Sequence, residues 1–307
     1  MEFSWTIFID LGLISAALLV ATYIRAKVPF FQKYLIPNAL TAGFILLPIY
    51  NFIVPRLGLN SQGLENLVFH LLCISFIAMS LRGGESKGAG KRVFSAAVLV
   101  VAHYTLQAII GFGLTMLFMY TLFPGLFPNF GFFLPLGFGL GPGQSFAIGK
   151  GWEAFGFEKA ANLGLIFAAI GYVWGAFGSV LLVNIARRRG WMDVKRLNAI
   201  DQKRIRMGLF GPKEAKPVGS KLTTETEAID TMSYTLAVIL GVYLVAYLLL
   251  RRLSYMLSLA GPMGSQLATN FWGIAFVFAA VVALLVKTLF KKLKIDFTLD
   301  EGSLNRI

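Results

Sequence analysis

The sequence predicts an all-α, polytopic membrane protein, and three observations predict it. Hydrophobic residues fill 57% of the 307 positions and charged residues only 14%, where a soluble domain would carry roughly 25% charged. Mean hydropathy is +0.71. The apolar residues are gathered into runs long enough to cross hydrocarbon, for which about 20 residues suffice. These runs are continuous rather than alternating, which excludes a β-barrel.

Runs of this kind predict spans at 7–24, 35–54, 66–81, 93–122, 160–185, 232–250 and 267–286. The fourth is long, with a tilt or a break expected at Gly111 and Gly113. The segment 131–150 is an eighth apolar stretch. The first span has no basic residues before it, so it reads as a retained anchor rather than a cleaved signal.

Loop charges set the expected orientation. The connection after the first span holds Arg25, Lys27 and Lys33, and the third holds Arg82, Lys87, Lys91 and Arg92. The second holds Arg56 alone, and 123–130 holds no basic residue. Positive loops face the cytoplasm, so the N-terminus is expected outside. If 131–150 crossed fully, Arg187, Arg188 and Arg189 would emerge on the wrong face. A re-entrant hairpin that leaves by its own side of entry puts them inside, together with Lys287, Lys291, Lys292 and Lys294. Arg251 and Arg252 then fall outside, against the rule.

The expected organisation has three parts. Residues 1–186 form a first membrane repeat of five spans plus the hairpin. Residues 187–231, opening with "RRRGWMDVKRLNAIDQKRIRMG", form a basic cytoplasmic linker with short amphipathic helices on the headgroups. Residues 232–307 begin a second repeat with two spans. The first half starts outside and the second inside, which suggests the inverted-repeat plan of secondary transporters. The net charge of +13 sits beside the spans, where it meets anionic lipid, and no separate nucleic-acid domain is present. The one cysteine, Cys73, permits no disulfide within the chain.

The stretch "LPLGFGLGPGQSFAIGKG" (134–151) carries glycine at 137, 139, 141 and 143, followed by Gln144 and Ser145. An unpaired backbone group in hydrocarbon costs several kcal/mol, so a break there must be enclosed by protein or line a polar cavity. From Gly131 to a break at Gly139 is roughly 12 Å of helix at about 1.5 Å per residue, close to the midplane of an approximately 30 Å core. Pro142 suits the first turn of a new helix. The amides of Gly143, Gln144 and Ser145 would be free to bind an anion, since a helix N-terminus is partly positive. Gly141, Gly143, Gln144 and Ser145 are therefore the expected substrate-binding residues. The arm that ends at Gly137, Phe138 and Gly139 offers carbonyls for Na⁺, with Asn162 as a further oxygen donor. A glycine packing kink without a ligand and a channel filter are the competing readings.

The fifth span carries Gly164, Ala168, Gly171, Gly175 and Gly178 on one face, small enough to admit another backbone. Asp10 lies in the first turns of the first span and reads more readily as reaching outer headgroups than as a buried functional charge. His70 and His103 read as packed polar residues. Gln107, Asn162, Asn184 and Asn270 read as hydrogen-bonding groups between helices, and Glu153, Glu158 and Lys159 as solvated. No metal-ligand or catalytic constellation stands out, so neither an enzyme nor a bound cofactor is expected.

The block "GFGLGPGQSFAIGKGWEAFGFEKAANLGLIFAAIGYVWGAFGSVLL" resembles the bacterial sodium/glutamate symporter family, and "LIPNALTAGFILL" resembles that family's second span. The resemblance covers most of 1–290, with 137–178 its specific part. Many members carry His and Thr after the loop glycines, where this chain has Gln144 and Ser145. The resemblance implies five spans per repeat, a re-entrant loop in each half, sodium-coupled glutamate uptake across a bacterial cytoplasmic membrane, and a homodimer. Against that pattern the chain ends at "LDEGSLNRI" after two spans of the second half, so a fragment of a longer transporter is expected, without a counterpart of 137–151. Sodium-coupled symport of glutamate is the expected function. Symport of another carboxylate such as citrate, a channel with a re-entrant pore loop, and a fragment that transports nothing are its alternatives.

Overall fold

The computed structural model describes residues 5–58, 62–82, 90–191, 206–209, 219 and 221–307. Helices dominate, and no strand occurs among the described residues. In chain order they are α1 (Thr6–Lys27), α2 (Pro29–Lys33), α3 (Asn38–Pro48), α4 (Gln62–Leu81), α5 (Gly90–Thr121), α6 (Phe133–Pro135), α7 (Pro142–Glu153), α8 (Ala160–Arg188), α9 (Thr231–Ser258), α10 (Pro262–Gly273), α11 (Ala275–Lys292) and α12 (Glu301–Leu304). Among the described residues, five helices (α1, α4, α5, α8 and α9) are long and apolar enough to cross a membrane, and α10 with α11, bent by 70°, adds a sixth only if the pair is counted as one span. Such a set identifies a multi-pass helical membrane protein.

Most expected spans fall on these helices, and three differ instructively. The fourth does not break: α5 runs unbroken through Gly111 and Gly113. Gly111 serves packing instead, because Gly131 of the following segment lies on it and a methyl on either would collide with the other's backbone. The seventh expected span is two helices, with α10 and α11 meeting at 70°. Its chain turns at Ile274, whose amide bonds Asn270 and Phe271 carbonyls at 3.3 and 3.2 Å. The second is short, with α3 continuing into a π-helical turn at Ile49–Ile53. Arg251 and Arg252 lie within α9 rather than in a loop, about 10 Å before its end. Their side chains are exposed and long enough to reach a headgroup layer.

The chain packs as two compact units, Met1–Leu67 with Ala169–Pro217, and Val68–Ala168 with Val218–Ile307. In the first, Ala17 and Ala21 of α1 pack on Ala42 of α3, with Ile45 and Leu46 around them. Small residues let these two helices approach closely. Asn38 donates to Thr22 Oγ1 at 2.9 Å, and Phe30 and Tyr34 stack on Phe177 of α8 with centroids 6.3 and 4.9 Å apart. Arg25 at the end of α1 donates to the Arg206 carbonyl at 3.1 Å.

In the second unit, Ile77 and Leu81 of α4, Ile239, Val242 and Leu250 of α9, and Phe276, Val282 and Ala283 of α11 form the main core. Asp230 caps α9 by accepting from the Met232 and Ser233 amides at 2.9 and 3.2 Å. Lys287 of α11 donates to the Arg82 carbonyl at the end of α4. The last residues fold back on the start of α9. Tyr234 donates to Thr298 Oγ1 at 3.1 Å, and the Lys221 amide to Asp300 Oδ1 at 3.0 Å.

Candidate substrate and ion site

The glycine-rich segment is built as two arms. The first passes from a 3-10 turn at Pro128–Phe132 through α6 into a π-helical turn at Leu136–Leu140. The second is α7. Ring contacts pair the arms in antiparallel order. Phe127 stacks on Phe157 at 4.4 Å, and Phe133 meets Trp152 at 5.1 Å. The chain therefore turns back between them.

The turn falls at Gly141 rather than at Gly139. Gly141 has φ 102° and ψ 177°, a region that only glycine occupies without strain. The π-turn carries the first arm two residues farther than an arm ending at Gly139 would, with the Gly141 amide bonded to the Leu136 carbonyl at 3.0 Å. Pro142 then opens α7 at its first position, as expected from its missing N–H.

Each expected site residue has a defined place. Gly137 lies on α8, where a Cβ would come within 2.6 Å of Phe167 Cβ and 2.7 Å of the Ala168 amide nitrogen. Phe138 is half-buried. Gly139 packs under the Tyr104 ring, and the Tyr104 hydroxyl donates to its carbonyl at 3.1 Å. Gly143 faces Leu72, which a Cβ would meet at 2.7 Å. The Gln144 side chain holds a buried Oε1 without a hydrogen-bond partner. Ser145 is fully buried, and its Oγ also has no partner. Its amide is not free as expected: it donates to the Gly141 carbonyl at 3.1 Å. That leaves Gly143 and Gln144 as the first-turn amides without a side-chain cap. Asn162 is exposed, whereas Ala160, Ala161 and Gly164 on the α7 side of α8 are buried, so it stands apart from the tip.

The small-residue stripe of α8 receives this segment over part of its length. A Cβ on Gly164 would sit 2.5 Å from the Ser145 carbonyl oxygen and 2.8 Å from its Oγ. Ala160 packs against Gly149 in the same way, at 2.6 Å. Gly175, farther along, has nothing within 4 Å.

Two features were not singled out from sequence. Tyr104 holds the tip carbonyl, and no local pattern marks it among the apolar residues of α5. A second Gly-Pro pair, Gly261-Pro262, opens α10 with the glycine again at positive φ, 84°; the repeated dipeptide was the available signal. Near the open end of the hairpin, the C-terminal parts of α7 and α10 flank a cavity of about 400 Å³ lined by Asn129, Gly151, Trp152, Asn270 and Gly273 among others. None of the eight expected site residues lines it.

The remaining polar residues resolve individually. His70 Nδ1 pairs with the Tyr243 hydroxyl at 2.6 Å, and His103 Nε2 with Gln107 Nε2 at 2.7 Å. Glu153 is tied down rather than merely solvated, pairing with Lys150 at 2.9 Å and accepting from the Ala161 amide at 3.3 Å. The Asn184 side chain and residues 192–205 of the linker lie outside the described residues. No group of three metal-ligating side chains occurs among the described residues. Asp10 does not reach outward: it is 3% exposed. No family model, no curated protein and no solved structure matches the chain.

Proposed function

We propose that the protein is an ion-coupled symporter of a small carboxylate, with sodium and glutamate as the first pair to test. One observation carries the reading: the hairpin tip. The first turn of α7 has two amides without a side-chain cap, from Gly143 and Gln144, and carries two buried, unpartnered side-chain oxygens, Gln144 Oε1 and, against Gly164 of α8, Ser145 Oγ. A buried polar atom left unpaired costs about 1–3 kcal/mol, and a bound ligand would recover that cost. The amides suit a carboxylate. The oxygens suit a cation or an ammonium donor.

Connectivity supports a hairpin that enters and leaves on one side. Tyr34, just after α1, packs on Phe177 of α8. Arg25 at the same end of α1 holds Arg206 beyond α8. These contacts support a reading in which both helices deliver their basic C-termini to one side and, with α3, α4 and α5 each crossing, the segment between α5 and α8 does not. The bacterial cytoplasmic membrane, the inverted repeat and the homodimer belong to this proposal through the family resemblance.

Uptake of labelled glutamate into proteoliposomes under an inward sodium gradient tests it. Accumulation should collapse when choline replaces sodium, and unlabelled citrate should compete only if the pocket accepts carboxylates broadly. Uptake that is indifferent to sodium would remove the coupling. Non-saturating flux with single-channel steps would replace the symporter by a channel.

A further inference from the structure

We propose that Asp10 is a binding site for an alkali cation. Asp10 lies four residues into α1 (Thr6–Lys27), about 6 Å from its start, and is 3% exposed. Its Oδ1 accepts from the Tyr50 hydroxyl at 2.5 Å. Its Oδ2 has no hydrogen-bond partner.

A carboxylate removed from water without a counter-charge is strongly unfavourable, far more so than a neutral polar group. A neutral tyrosine hydroxyl satisfies one oxygen without cancelling the charge. The local chain is arranged around the other oxygen. Gly63 opens α4 against Oδ2, where a methyl would collide with it, and Thr6 stands beside the same spot with its Cγ2 3.9 Å from that methyl position. Tyr50 itself sits in the π-helical turn Ile49–Ile53, a distortion often found at functional sites. A hard monovalent cation on Oδ2 supplies the missing charge with the oxygen-ligand chemistry it prefers.

The site's role as a coupling site rests on the symport reading above, but the binding is measured without uptake. Purified protein in detergent is melted at fixed pH and ionic strength in choline, Na⁺, K⁺ and Li⁺ chlorides, and equilibrium binding of ²²Na⁺ is measured in parallel. The expected result is a melting temperature that rises with the logarithm of one alkali ion's concentration and a rise that is lost in Asp10→Asn. Tyr50→Phe should weaken the apparent affinity several-fold, which keeps the test open if Asp10→Asn does not fold. Absence of any alkali-dependent shift and of bound ²²Na⁺ in the unaltered protein would overturn the site. So would a shift retained in full by Asp10→Asn or by Tyr50→Phe. Failed glutamate uptake with intact, Asp10-dependent cation binding would instead count against the proposed substrate and leave this site standing.

Discussion

Gly164→Ala is the most direct probe of the hairpin's seat on α8. The added methyl carbon would lie 2.5 Å from the Ser145 carbonyl oxygen. That is about 0.9 Å inside the 3.4 Å at which ordinary contact begins. The Ser145 Oγ, also close at 2.8 Å, belongs to a fully buried side chain. Neither the α7 backbone nor that hydroxyl can swing aside as a flexible side-chain end would. The arm must move off α8 by several tenths of an ångström, and overpacking of this kind costs about 1–3 kcal/mol. Gly175→Ala on the same helix is the control, since nothing lies within 4 Å of it. There the alanine should be neutral, or stabilising by at most about 1 kcal/mol through helix propensity. Melting of the two purified variants in detergent, with uptake measured alongside, reads the contrast. Gly164→Ala should melt several degrees lower and transport poorly, while Gly175→Ala should match the parent in both. Equal stability of the two variants would refute the close seat of α7 on α8.

Gly141→Ala forces a side chain into a backbone region open to glycine, φ 102° and ψ 177°, at a cost of about 1–3 kcal/mol; uptake should fall more than membrane insertion, which protease mapping would check. Gly143→Leu should abolish uptake while leaving the protein folded, because its neighbour Leu72 is a flexible side chain that can yield; near-normal uptake would favour a packing kink over a ligand site. Asp300 outside the spans carries a pH prediction. Burial alone would raise its pKa, but hydrogen bonds from the Lys221 amide, the Ser303 hydroxyl and amide, and the Gly302 amide outweigh that and lower it. The native pKa lies below that of the unfolded carboxylate, so the stabilisation is present above the unfolded value, near about 3.9. It is lost as pH falls through the native value. Asp300→Asn should therefore melt below the parent at neutral pH, and the gap should close on acidification; a constant gap would exclude the charged clamp.

How far the candidate site was legible follows from what each residue needed. A reversal within 131–150 was expected from charge counts in connections, which are local and additive. The placement of its turn was not. Gly137, Gly139, Gly141 and Gly143 look alike in the sequence, yet three of them face neighbours far along the chain: Phe167 and Ala168, Tyr104, and the more yielding Leu72. Only Gly141 is required by its own dihedral angles. Asp10 was misread for a related reason. Its depth within the first span suggested the headgroups, and nothing local reveals that Tyr50 and Gly63 close over it.

By itself the sequence determined the class of the protein, the approximate spans and their basic ends. These follow from hydrophobic partition and charge, and both are summed along the chain. Only the tertiary structure decided which glycines are packing surfaces, that α5 stays unbroken where Gly131 crosses it, that 262–292 bends by 70°, and that Asp10 is enclosed with one oxygen unpartnered. Each of those depends on close contact between residues distant in sequence. In an apolar medium the partner that fits a small residue is fixed by shape, and hydropathy does not record shape.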